Sequence, residues 1–318
     1  MSEGHYKTNK IPFFKIFSQI SFVLSCIFMI YVFKDKLNSE ELFSLPKHTN
    51  LTFLAISVLL VPINWLIESL RWYLLAQLHL NISFKEVFKG TLQSVALSFF
   101  SGRIIGDIIG KGKYLSKNSQ KLKTTGPTIV NNTLMSIPTL CVGLCAAFLY
   151  FNSWTKYTYF ISIILITILI LVSFLVIKKK RKFKFTDFLI QYSSKTIGRN
   201  ILLAFLRYTI FSIQYLFIFY FLDVQNSIST LMIGIALVFV SKSFVPALNA
   251  IGDLGVREAS AHIFFSNYGV EANIIFQATF IIWIINIFTP ALLGIFIYLI
   301  EEFQIHKSTT SDSLKTQK

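Results

Sequence analysis

The sequence predicts an all-α polytopic membrane protein, and three observations carry that prediction. Of its 318 residues, 54% are hydrophobic and only 14% charged, and the mean hydropathy is +0.62, well outside the range of soluble domains. Apolar runs near residues 14–33, 51–75, 127–151, 155–177, 200–222 and 272–300 each reach the length needed to cross a hydrocarbon core. The 30 basic residues, set against 15 acidic ones, gather in the short segments between those runs, as the orientation rule for membrane helices requires.

The first run follows Lys7, Lys10 and Lys15 and resembles the charged and apolar regions of a signal peptide. It is succeeded by Lys34, Asp35 and Lys36 rather than by small residues suited to cleavage, so it reads as an uncleaved first span. The second run contains Glu68 and Arg71 between Trp65, Trp72 and Tyr73, a grouping expected of an interfacial aromatic belt with a local ion pair. Two further stretches, 84–116 and 229–268, stay apolar for about 16 residues, break at glycines, carry charges and resume. They suit helical hairpins that enter the bilayer and turn back, with the broken backbone buried in protein or facing water.

Charge placement discriminates six spans plus two re-entrant hairpins from the alternative of eight spans. With a cytoplasmic amino terminus the first arrangement puts 22 basic residues inside and 4 outside, whereas the best eight-span arrangement gives 16 and 10. The six-span reading, with both termini cytoplasmic, therefore satisfies the orientation rule better. The chain then reads as a single integral membrane domain over residues 1–318. Repeat 1 covers about 10–151, repeat 2 about 155–303, and residues 304–318 form a polar tail. The halves start from opposite sides, an inverted-topology repeat of the kind that holds a substrate site near the midplane.

Two charged segments are the candidate substrate-binding elements. SGRIIGDIIGKG, residues 101–112, puts Arg103, Asp107 and Lys111 on one helical face, with Gly102, Gly106 and Gly110 repeating every four residues to allow close helix approach. PALNAIGDLGVREA, residues 246–259, follows Lys242 and contains Asp253, Arg257 and Glu258. Insertion scales set about 2.5–3.5 kcal/mol against each charge at mid-membrane depth, so these four should pair or meet water. Gly102, Gly106, Pro246, Gly252 and Gly255 are the expected helix breaks, and a helix starting after Gly255 would offer amides to an anion. Arg207 is expected to snorkel toward the cytoplasm or reach a lipid phosphate. His262, one turn after Glu258, reads as a packing residue, and the KKKRKFK run at 178–184 as an orientation signal in contact with anionic heads.

Other chemistry is excluded on spacing. No Gly-rich phosphate loop, RNP-like aromatic pattern or zinc-ligand spacing accompanies the positive charge, so nucleic acid is not an expected partner. No cofactor or metal is expected. Cys26, Cys141 and Cys145 all lie inside apolar runs and are expected to be small buried apolar residues.

At three stretches the sequence resembles the transmembrane region of lysylphosphatidylglycerol synthases, a flippase-like family found both alone and fused to a synthase domain. They are NWLIESLRW from Asn64 to Trp72, SGRIIGD from Ser101 to Asp107 and IGDLGVRE from Ile251 to Glu258. The likeness extends over most of residues 10–303. Ser101 stands where relatives usually carry proline, Gly110-Lys111 where an arginine is usual, and Gly252-Asp253 where they have paired glycines.

The resemblance implies a lipid-translocating fold of the inner membrane whose partners are membrane lipids, anionic or lipid-linked, and a lipid biosynthesis enzyme. Enzymatic activity is not expected, since only a polar tail follows Leu299 and no aminoacyl transfer domain is seen. Two competing functions are a membrane-embedded transferase acting on a lipid head, with Glu258 or Asp253 as base and His262 as helper, and a non-transporting scaffold.

Overall fold

A computed structural model describes residues 46, 48–101, 103–115, 122–151, 191–244 and 250–315. The predicted spans at 14–33 and 155–177, Cys26, the basic run at 178–184, Gly102 and Pro246 lie outside the described residues. Among those described, the regular structure is helical, with no strand.

In chain order the helices are α1 (Leu51–Ala76), α2 (Phe84–Ser101), α3 (Arg103–Gly112), α4 (Thr125–Phe151), α5 (Ser194–Phe221), α6 (Ile228–Phe244), α7 (Ala250–Phe265), α8 (Ala272–Trp283) and α9 (Thr289–Lys315). A π-helical turn, Ile284–Phe288, joins α8 to α9. Among the described residues, four helical segments are long and apolar enough to cross a membrane: Leu51–Ala76, Thr125–Tyr150, Ser194–Phe221 and the continuous Ala272–Gln304. α6 is apolar but shorter. The chain is a multi-pass helical membrane protein.

Local chemistry sets several helix starts. Asn50 caps α1, its side chain accepting from the Thr52 amide at 3.0 Å, and Ser193 caps α5 by accepting from Thr196 at 3.2 Å. α2 opens with a capping box in which the Ser83 amide donates to Glu86 Oε2 at 2.8 Å and the Glu86 amide donates to Ser83 Oγ at 3.3 Å, so two orphan donors are satisfied reciprocally. Outward faces are apolar, with Leu59, Leu202, Ile263 and Phe303 each at least 70% exposed, as lipid-facing surfaces are.

α2 and α3 form a tight antiparallel hairpin. A Cβ at Gly106 would lie 2.6 Å from the Ser98 amide nitrogen, and one at Gly110 would lie 2.5 Å from the Ser94 backbone, so small residues let the two backbones touch. α6 and α7 form a second antiparallel hairpin, with Gly234 against the rings of Phe264 and Phe265 near its open end and Lys242 paired with Asp253 near its tip. α1 and α5 run antiparallel, Phe53 meeting Phe217, Ser57 meeting Gln214 and Arg71 meeting Asn200. α9 lies along α2, where a Cβ on Gly294 would strike the Leu92 carbonyl. The largest apolar core joins α5, α6, α7 and α8 through Tyr215, Phe219, Phe239 and Phe265.

Several expectations are corrected. Gly106 lies within α3, and Gly252 and Gly255 lie within α7; none breaks a helix, because four-residue glycine spacing marks a packed helical face as readily as an interruption. The charged segment after Gly102 is itself the second arm of the first hairpin. No helix begins after Gly255, so its amide is an internal one. Cys141 and Cys145 are exposed on α4 rather than buried, since a lipid-facing surface is as apolar as a core.

Candidate functional site

The charged residues buried in the described structure fall into two sets, and α5 runs past both. The first centres on Glu68 of α1. Its Oε2 lies 3.0 Å from Arg71 Nη1 and 3.2 Å from Arg207 Nη1 of α5, while its Oε1 accepts from Asn131 Nδ2 of α4 at 2.9 Å and lies 3.7 Å from Lys111 Nζ of α3. Arg71, fully buried, donates in addition to the Asn131 carbonyl at 2.8 Å and to Asn200 Oδ1 at 3.1 Å. Asp107 sits on α3 one turn before Lys111, 3.4 Å from its ammonium, and accepts from Ser94 Oγ at 2.9 Å and Asn132 Nδ2 at 3.3 Å. Four helices of the bundle therefore contribute polar groups to one carboxylate, and α2 is tied in through Ser94.

The second set belongs to the second hairpin. Asp253 accepts from Lys242 Nζ at 2.5 Å on one oxygen and from Arg257 Nε at 2.7 Å on the other. The Arg257 guanidinium lies 5.2 Å above the Phe211 ring, a cation–π contact that is strengthened by desolvation. Glu258, also buried, accepts from Thr279 Oγ1 of α8 at 2.5 Å. Trp283 Nε1 donates to the Ala250 carbonyl at 2.9 Å and ties the start of α7 to the end of α8.

Phe211 is four residues after Arg207, so on one face of α5 the two sets are separated by a single turn, about 6 Å of rise. Beside them, a neutral polar array spans the bundle. Asn64 Nδ2 donates to Asn286 Oδ1 at 3.0 Å, and Gln214 Nε2 donates to the Ser57 carbonyl at 2.9 Å. Asn286 lies in the π turn, an irregularity that frequently marks functional positions in helices. A further ion cluster brackets the first hairpin: Glu301 of α9 takes Lys89 Nζ at 2.8 Å, Lys113 Nζ at 3.1 Å and Gln93 Nε2 at 3.2 Å.

Residues 18–294 match the family model described as the lysylphosphatidylglycerol synthase TM region. The chain belongs to that family. No curated protein matches the chain. The three motif stretches recognised in the sequence all lie inside the matched region, and NWLIESLRW supplies Glu68 and Arg71 to the first set.

Of the sequence-predicted site residues, the structure puts Asp107 in the first set and Lys242, Asp253, Arg257 and Glu258 in or beside the second. Arg103 opens α3, and its side chain is outside the described residues. Sequence reasoning missed the centre of the first set. Glu68 and Arg71 pair as expected and are both buried, Lys111 has no exposed side-chain surface, and Arg207 turns to Glu68 and to the Trp65 ring at 5.5 Å. The available signal was the one applied to the second set, namely ionisable groups in or beside apolar helices. His262 is exposed and Glu258, one turn earlier on α7, is buried.

Proposed function

We propose that this chain is a flippase-like transporter that moves a lipid or lipid-linked amphiphile with a charged head across the inner membrane. The observation that carries the reading is the cluster of buried Asp253 and Arg257 with partly exposed Lys242, held on a hairpin rather than on a full-length span. Charges at that depth are costly unless they line a polar passage, and short paired helices are the elements that transporters use to build one. In this reading both hairpins re-enter the bilayer beside six full spans, the halves form an inverted repeat, and both termini are cytoplasmic. Arg103, Lys242 and Arg257 attract the phosphate of the head. Asp107, Asp253 and Glu258 balance those cations and bias the empty site toward one packing.

Reconstitution of the purified protein with a fluorescent phospholipid tests it. Wild-type vesicles should lose the label's protection from an external quencher, and Arg257→Ala or Glu258→Gln should abolish that loss while the protein still inserts and folds. Wild-type movement in both variants refutes the site. A modified lipid product in the same vesicles supports a transferase, and no movement without a copurifying biosynthetic enzyme supports a scaffold.

A further inference from the structure

The first hairpin is held on two flanks of unequal character. On one flank its charges meet α1 and α4, Lys111 beside Glu68 and Asp107 beside Asn132, and the side chains of Lys111, Glu68 and Asp107 keep no more than 13% exposure. On the other flank lies α9, antiparallel to α2: Phe288 meets Phe99, Gly294 meets Leu92 and Glu301 meets Lys89. This second flank changes along its length. Near the hairpin tip the contact is aromatic, the Phe99 ring lying 5.8 Å from that of Trp283 and 6.3 Å from that of Phe288, and Trp283 is itself fixed by the Ala250 carbonyl. Near the open end the contact is polar and converges on one carboxylate.

Glu301 is that carboxylate. From α2 it takes Lys89 Nζ at 2.8 Å and Gln93 Nε2 at 3.2 Å, and from the turn after α3 it takes Lys113 Nζ at 3.1 Å and the Tyr114 hydroxyl at 2.9 Å. One residue of α9 thus fastens both arms of the hairpin. The arms are fastened to each other as well, since Gln93 Nε2 also donates to the Tyr114 hydroxyl at 2.9 Å and a Cβ on Gly90 would stand 3.1 Å from the Gly110 carbonyl oxygen, so the hairpin answers to Glu301 as one body. Lys113 is tied to α9 a second time, its Nζ lying 4.0 Å from the centre of the Tyr298 ring. The side chains of Lys89, Lys113 and Glu301 keep 33, 27 and 16% exposure. Pairs reached by solvent to that degree are weak and screened by salt, whereas the ring contacts at the tip are not. An element held at one end by such pairs and at the other by packed rings opens at the weaker end.

We propose that Glu301 is a latch: it holds the open end of the first hairpin against α9, and its release lets that end swing away from α9 while the tip stays docked on Trp283. The latch goes beyond the transport reading and stands without it, since it concerns which packing the hairpin occupies rather than what the chain moves. Release leaves the hairpin its Glu68 and Asn132 partners on the other flank, so the unlatched molecule remains folded and differs from the latched one along α9 alone. Glu301→Gln removes the charge that the two lysines share, and Lys89→Gln combined with Lys113→Gln removes the lysines. Both routes should reach the same open packing.

The test reads distances between spin labels in the full-length protein, with Cys26, Cys141 and Cys145 replaced by serine and the labels at exposed positions. Labels on Lys85→Cys of α2 and Phe303→Cys of α9 report the latch, and labels on Leu59→Cys of α1 and Leu202→Cys of α5 report the bundle. With Glu301 present at low salt, one short Lys85–Phe303 distance should dominate. In Glu301→Gln, a distance longer by about 5 Å or more, the scale of a helical turn, should gain about 10-fold in population, as expected for the loss of two partly exposed ion pairs. The double lysine variant should match it. Raising the salt from about 0.01 M to about 1 M, which cuts the screening length from about 30 Å to about 3 Å, should lengthen the distance when Glu301 is present and leave Glu301→Gln unchanged. The Leu59–Leu202 distance should hold throughout. A Lys85–Phe303 distance unmoved in both variants overturns the latch, and so does an equal salt response with and without Glu301. Where a variant disturbs the Leu59–Leu202 pair too, the salt series with Glu301 present decides: a short distance that persists at high salt overturns the latch, and lengthening within an intact bundle sustains it.

Discussion

The two hairpins solve the same problem in opposite ways. In the second, charge is neutralised internally: Lys242 of α6 and Arg257 of α7 both pair with Asp253 of α7, so the hairpin can shift as a unit with its ion pairs intact. In the first, the hairpin is closed by glycine and serine, and its internal Asp107–Lys111 pair at 3.4 Å is shared with other helices, Lys111 with Glu68 of α1 and Asp107 with Asn132 of α4. Moving it exposes or exchanges ion pairs. α9 packs its Gly294 against the α2 backbone and brackets the same hairpin through Glu301, whereas α8, beyond the π turn, ties to α7 through Trp283 and Thr279. A chain that alternates between two packings would keep the second hairpin's charges paired and redistribute those of the first.

The strongest way to break this contrast is to remove each central acid. Glu68→Gln leaves cations from three helices facing a neutral group and should cost about 3–5 kcal/mol, the range for breaking buried ion pairs, read as a fall in thermal midpoint in detergent. Asp253→Asn should cost less, about 3 kcal/mol, because its two cations belong to one hairpin. Adding Lys242→Met to Asp253→Asn should recover most of the loss, since only one cation then remains. No single neutralisation should do so for Glu68→Gln. If Glu68→Gln with Arg71→Met recovers as fully, the first set is as self-contained as the second and the contrast fails.

A smaller effect separates how the hairpins are closed. At Gly110 an added methyl meets the Ser94 backbone at 2.5 Å, and at Gly234 it meets ring atoms of Phe264 and Phe265 at 2.4 to 2.6 Å. Backbone cannot yield without parting the helices, whereas rings can turn. Gly110→Ala should therefore cost about 3 kcal/mol and Gly234→Ala about 1 kcal/mol, within the range for overpacking, measured by the same unfolding assay.

The sequence disclosed four spans among the described residues and both helical hairpins because length and hydropathy are one-dimensional properties: the predicted runs at 51–75 and 200–222, for example, correspond to α1 and α5. It disclosed the second charge set because Asp253 and Arg257 are one turn apart. Of the first set, the local pairs Glu68–Arg71 and Asp107–Lys111 were legible, but their convergence with Arg207 was not, since α1, α3 and α5 meet only through tertiary packing. Trp65 and Trp72, read as belt residues, also pack against the set: Trp72 is fully buried and bonded to Thr128, and Trp65 lies beneath Arg207. Glycine spacing was ambiguous for a similar reason. The period that permits close packing at Gly106 and Gly110 is also what a run of helix breaks would show.

The smallest expected effect provides the control that makes the glycine comparison interpretable. Gly198 lies in the second turn of α5, and nothing stands within 4 Å of a Cβ built there. Gly198→Ala adds no clash, and it restricts the unfolded chain at a position whose native backbone is already helical. It should therefore stabilise by about 0.4–1 kcal/mol. The three glycine variants differ by one methyl each, so their ranking isolates what that methyl meets: open space at Gly198, movable rings at Gly234 and backbone at Gly110. A destabilised Gly198→Ala, against the helix propensity that favours alanine, would mean that an effect other than local contacts dominates all three, and the glycine contacts could then no longer be credited with holding the first hairpin closed.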